Sequence, residues 1–181
     1  MATGRRGSDS SALQWSFQRV DLRVHLVLPT SYLPMLIPLI EFVAALAAAL
    51  FAGAALYINV VEHPSRMGLE TRTAALQWAP SYKRATWMQA PLAIVSLICG
   101  VAVWLLGGGW GWLVAAVLVG AVVPFTFVII MPTNHRLLAP DRDLSSSETR
   151  ELLVRWGRLH AVRTLLSLAG AMVYLWLILR C

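Results

Sequence analysis

Four stretches of this chain run longer, with fewer charges, than the interior of a small soluble domain tolerates. They cover about residues 35–61, 87–106, 112–131 and 156–179. The hydrocarbon core of a bilayer is crossed by roughly 20 predominantly apolar helical residues. The second stretch stops at Gly107-Gly108-Gly109 and the third is closed by Pro132. The fourth is fully apolar only from Thr164 to Leu179. It must borrow the preceding turns, which places Trp156, His160 and Arg163 at or just inside the interface. Strands of a membrane barrel would alternate polar and apolar residues, and these runs do not. The fold expected is all-α: an integral membrane four-helix bundle over residues 35–181, with both termini on the same side. Residues 1–34 form a polar N-terminal extension, partly disordered or interfacial.

Composition agrees with that class. Of 181 residues, 58% are hydrophobic and 13% charged, against about 45–50% and about 25% in soluble domains. The net charge of +6 comes from residues that flank apolar runs. This is the pattern of a protein that meets lipids and not nucleic acid. Two cysteines without a CxxC give no disulfide framework and no zinc cage. The first thirty-odd residues lack the compact apolar core and cleavage site of a signal peptide. With four spans, five basic residues fall on the side of the termini: Arg5, Arg6, Arg19, Arg23 and Arg180. The other ten fall on the side of the 59–86 and 132–151 connections. The positive-inside rule then puts those connections in the cytoplasm. Oligomeric state is not legible.

Followed along the helices, the polar residues collect at that second side. The first span ends in YINVVEHPSR, where Asn59 sits three and four residues before Glu62 and His63 and shares their face. Pro64 is expected to end the helix. The second span is entered through Tyr82, Arg84, Trp87 and Gln89. The third delivers Asn134 and His135, and the fourth carries Trp156, His160 and Arg163 at helical offsets of four and three. A charged residue at membrane depth costs about 2.5–3.5 kcal/mol on insertion scales and is usually paired. Glu62 is the partner expected for Arg163. Arg155 and Arg158 read as a snorkelling collar. Trp78, Trp110 and Trp112 read as interfacial belt residues, and His135 as a solvated loop residue. Gly53, Gly100, Gly120 and Gly170 suit close helix packing.

Several phrases taken together resemble a known family. They are the acid-His-Pro end of the first span, the Tyr-Lys-Arg segment before the second, PFTFVIIMPTNHRL, and LLVRWGRLHAVRTLL. This set is similar to the anthrone oxygenase-like family of small four-helix membrane proteins, over about Leu39 to Leu179. Some fungal members are associated with oxidation of an anthrone to an anthraquinone, without flavin or haem. The resemblance carries over Asn134, Trp156, His160 and Arg163, and with them Glu62 and His63, which lie in a stretch that varies more within the family. The extension before Pro34 has no counterpart in it.

Three readings then stand. In the first, a membrane-embedded oxygenase acts on a lipophilic, anthrone-like substrate. His160 or His63 is the base, oriented by Glu62; Arg163 holds an oxyanion; Asn134 donates a hydrogen bond. Tyr82, Trp87 and Trp156 flank a flat substrate, with Arg84 beside it. In the second, iron or copper is held by His63, His160 and Glu62. In the third, the protein is no enzyme but an assembly factor, lipid binder or complex subunit, and the cluster is a polar lock or headgroup site.

Overall fold

The computed structural model describes residues 33–180, and the N-terminal extension up to residue 32 lies outside the described residues. Four helical rods, each long and apolar enough to cross a membrane, make up almost all of the rest: Met35–Met67, Thr71–Gly108, Trp110–Leu137 and Ser147–Ile178. No strand occurs among the described residues. Each rod packs on the next in chain order and the fourth returns to the first. This is the up-and-down arrangement that short connections favour.

Every rod outruns its apolar window on the polar side. The first does not stop at Pro64. It passes through a π-helical turn, Ile58–Glu62, and resumes as His63–Met67 with the proline in its opening turn. The third repeats the device with a π turn at Thr126–Ile130, followed by Met131–Leu137 with Pro132 in its opening turn. A proline in a helix interior lacks an N–H and pushes against a carbonyl one turn back. A widened turn just before it re-registers the backbone, so the helix resumes with its proline in a first-turn position. The second rod begins at Thr71, well before Trp87, because the polar run Thr71–Thr86 is itself helical and buries Ala74, Ala75 and Trp78. The fourth starts at Ser147, where Ser146 caps it by accepting from the Thr149 N–H at 3.2 Å. An apolar window sees only the stretch that lipid would touch. These extensions are held by protein and are invisible to it.

The core divides into two along the bundle. One half is built of small residues around large ones: Ala44, Ala48, Ala115 and Ala116 with Phe51, Trp112 and Tyr174. Here a Cβ on Gly100 would lie 1.9 Å from the Tyr174 hydroxyl, and Gly120 and Gly170 are closed off by Leu97 and Val119. Those three glycines pack as expected. Gly53 does not: a Cβ added there would meet nothing within 4 Å. The turn Gly107-Gly108-Gly109 at this end needs φ of +97° and +90° at its first and third positions, values glycine reaches without strain. The other half is aromatic, with Trp78 and Trp156 at its centre. Trp78 and Trp112 are therefore core residues, each 1% exposed, and not belt residues as expected. Trp110 is exposed.

Candidate active site

The two π turns set the register of the site. Asn59 and Glu62 lie on the first π turn, and Ile130 closes the second, one turn before Asn134. Asn59 reaches across to the fourth helix. Its side-chain N–H donates to the Gly157 carbonyl at 3.1 Å, so its Oδ1 is the atom that faces His160. That oxygen lies 2.6 Å from His160 Nδ1 and accepts from Thr164 Oγ1, also at 2.6 Å. An amide oxygen carries no proton, so Nδ1 of His160 is the donor. The lone pair is thereby left on Nε2. Asn59, not Glu62, orients the histidine.

Glu62 is engaged elsewhere. Its carboxylate accepts from both Arg66 and Ser81, and Arg66 also donates to Ser81 at 3.1 Å. The Glu62–Arg66 spacing of four is the ordinary helical ion-pair spacing; the helix continues through Pro64 and makes it available. Arg163, the expected partner of Glu62, instead donates to Gln89 Oε1 at 2.6 Å and lies over the Phe51 ring at 5.1 Å. It is 8% exposed, and among the described residues no carboxylate pairs with it. A buried cation held only by a neutral amide and a ring face is an expensive arrangement.

These groups close around a small cavity of about 20 Å³, lined by Glu62, Tyr82, Gln89, Asn134, Trp156, His160 and Arg163 among others. That volume holds about one water-sized molecule. Its wall carries an unusual density of unpaired polar atoms: both side-chain atoms of Asn134, Nε2 of Gln89, Nε of Arg163 and of Arg66, and Nε1 of Trp156. Buried polar atoms are nearly always paired. Among the described residues, five that break the rule line this one cavity, so its wall can offer hydrogen bonds to a small polar group. A chain of rings backs it: Tyr82 stacked on Trp78 at 5.1 Å, Trp78 edge-on to Trp156 at 5.8 Å, and Trp156 stacked on His160 at 4.8 Å.

The expected residues sort unevenly. Asn134, Trp156, His160, Arg163, Glu62 and Tyr82 line the cavity. His63 does not: it is buried against Trp156, 5.3 Å between rings, and against Gly157, where a Cβ would fall 2.3 Å from its Nε2. Trp87 is 84% exposed and does not line the cavity. Arg84 lines a second, larger hollow. The two-histidine, one-carboxylate set is not assembled: among the described residues no three His, Cys, Asp or Glu side chains gather as a metal would need, and Glu62 is taken by Arg66 and Ser81. Asn59, Gln89, Thr164, Arg66 and Ser81 carry the site, although sequence reasoning assigns them no role in it. Gln89 and Thr164 give a signal, as polar residues inside otherwise apolar spans.

The sequence has known relatives. Residues 78–173 match the family model described as anthrone oxygenase. An anthrone oxygenase of Aspergillus fumigatus is 43% identical over 77 residues, 41% of this chain and 48% of that protein. Another, from Pestalotiopsis fici, is 36% identical over 117 residues, 56% of this chain and 82% of the relative. A noranthrone monooxygenase of Aspergillus flavus is 28% identical over 147 residues, 74% and 70% of the two chains. The chain thus spans about half the length of the Aspergillus fumigatus relative and most of the other two. No solved structure matches it. The matched segment holds Gln89, Asn134, Trp156, His160 and Arg163, while Asn59 and Glu62 lie before it.

Proposed function

The chain belongs to the anthrone oxygenase family, and from that premise we propose that it is a membrane-embedded oxygenase of lipophilic anthrone-type substrates, with His160 as base and Arg163 as anion holder. One observation carries the assignment of roles. A histidine with a fixed tautomer and a buried arginine that no carboxylate pairs with among the described residues share the wall of one small cavity.

The methylene carbon of an anthrone is acidic because its conjugate anion is an aromatic phenolate-type enolate. His160 Nε2 removes that proton. The carbanion then transfers an electron pair to dioxygen, which forms a C–O bond and leaves the charge on the terminal oxygen. That oxygen is what Arg163, with the unpaired N–H groups of Gln89 and Asn134, is arranged to meet. The imidazolium returns its proton to give a hydroperoxide. A second deprotonation at the same carbon forms the carbonyl as the O–O bond breaks, and the departing hydroxide takes up the proton as water. Substrate carbon supplies every electron the oxygen accepts, so the sequence balances without a further reductant, flavin or haem. The cavity's size suits the oxygen atoms of this sequence and not the ring system.

The test is oxidation of anthrone by protein reconstituted in lipid vesicles, followed as anthraquinone formation and oxygen uptake. One dioxygen consumed per anthraquinone is expected. A His160→Ala protein that retains the wild-type rate would overturn the role given to His160, and a wild-type protein inert toward anthrone would overturn the function.

A further inference from the structure

A cavity of about 20 Å³ cannot hold a tricyclic substrate, so the rings must lie elsewhere, with one edge turned toward His160. Beside it, between the first and second helices, runs a groove of about 550 Å³. That falls within the range of about 300–1,000 Å³ typical of sites for drug-sized molecules. Its sides are apolar: Ala54, Tyr57, Pro80 and Met88. Its floor is the wall of the inner cavity, since Ile58, Glu62, Ser81, Ala85 and Gln89 line both. Arg84 and Gln77 provide polar groups along its length.

Resting on the oxygenase reading, we propose that this groove is the binding site for the ring system of a flat, hydroxylated polycyclic aromatic, which enters sideways from the lipid. Every lining residue comes from two neighbouring helices, so the groove is a slot open on the outer side of the bundle. Tyr57 and Met88, both more than half exposed, stand at its opening. A planar aromatic has apolar faces and a polar hydroxylated edge, and the groove offers apolar sides with polar groups at Arg84, Gln77 and the floor. The floor is held by the hydrogen bond from Ser81 to Glu62 and the ion pair of Glu62 with Arg66. This partition separates the rings from the oxygen-sized cavity and must yield locally for the reacting carbon to meet His160. A lipid acyl chain would fill the apolar sides, with its phosphate free to meet the exposed Arg84, and is the competing occupant that the binding test separates.

The groove can be blocked without touching the inner cavity. Ala54 lines the groove only, so Ala54→Trp fills it, and Ile98→Trp, at an exposed position off the groove, controls for added bulk. Binding of anthraquinone, which cannot turn over, is measured in vesicles by quenching of intrinsic fluorescence, beside anthrone oxidation kinetics. Ala54→Trp is expected to weaken anthraquinone binding at least about tenfold and to raise KM for anthrone in parallel with little change in kcat, a loss of uniform binding. Ile98→Trp should match wild type. Wild-type anthraquinone binding in Ala54→Trp overturns the groove assignment, whether the groove then proves to hold a lipid chain or nothing. A wild-type protein that binds anthraquinone through the groove yet does not oxidise anthrone leaves the binding site standing and overturns the oxygenase reading alone.

Discussion

His160 Nδ1 lies 2.6 Å from Asn59 Oδ1, and the same amide donates to the Gly157 carbonyl one turn earlier on the histidine's own helix. The amide thus reads the fourth helix at two points and permits only one orientation of itself and one tautomer of the imidazole. Asn59→Leu removes the acceptor and lets the ring exchange tautomers. The anthrone oxidation rate should fall about 10²-fold, the lower range of what a positioned general base contributes. Asn59→Asp keeps an acceptor for Nδ1 and should retain most of the rate. Nitrogen NMR of labelled histidine should show a single Nδ1-protonated His160 in wild type and a mixture in Asn59→Leu. An unaltered rate in Asn59→Leu would refute the positioning role.

Arg163 separates stability from function. Its guanidinium is buried with Gln89 and Phe51 as neighbours and no carboxylate among the described residues. Replacing a costly buried charge with an apolar side chain of similar length is often neutral or stabilising. Arg163→Met should therefore leave the thermal midpoint unchanged or raised, while anthrone oxidation falls about 10²–10³-fold, the range for loss of one oxyanion donor. A lowered midpoint with unchanged kcat would make Arg163 a structural lock instead.

How much of this is legible in the sequence depends on the physics involved. The four spans follow from hydropathy, and the gathering of Asn134, Trp156, His160 and Arg163 with Glu62 follows from tracing polar residues along helices of known direction. The pairing within the cluster does not follow. Charge alone matches Glu62 to Arg163, because a buried cation wants an anion. That match overlooks Arg66, which lies beyond a proline expected to end the helix. The π turn at Ile58–Glu62 keeps the helix going and hands Glu62 a nearer arginine. Likewise Trp78 reads as interfacial because the helix around it carries too few apolar residues to register as a span, yet its indole is the centre of the aromatic half of the core. Local backbone register is decided by packing that a single sequence does not display.

Glu62 and Arg66 offer a check on that corrected pairing. Arg66 is 2% exposed, and its charge is compensated by Glu62. Glu62→Gln leaves a buried cation unpaired and should destabilise the fold by about 3–5 kcal/mol. The double variant Glu62→Gln with Arg66→Met removes the stranded charge and should recover much of that loss. Thermal unfolding of the four members of the cycle in one detergent measures the coupling. Additive effects of the two substitutions would argue against a direct pair.

Two glycines make opposite forecasts from one chemical change. At Gly157 a methyl group would lie 2.3 Å from His63 Nε2 and 2.5 Å from its Cδ2. The His63 ring is itself pressed against Trp156, so it cannot retreat without disturbing the indole that stacks on His160. Gly157→Ala should destabilise by about 1–3 kcal/mol, the cost of overpacking a filled core, and should slow anthrone oxidation through the displaced ring. At Gly53 a methyl group meets nothing within 4 Å, and the residue lies in a regular helix. Gly53→Ala should therefore stabilise by about 0.5–1 kcal/mol through helix propensity alone, with unchanged kinetics. Thermal midpoints measured side by side decide both. Equal midpoints for the two variants would mean that His63 does not pack against Gly157 of the fourth helix.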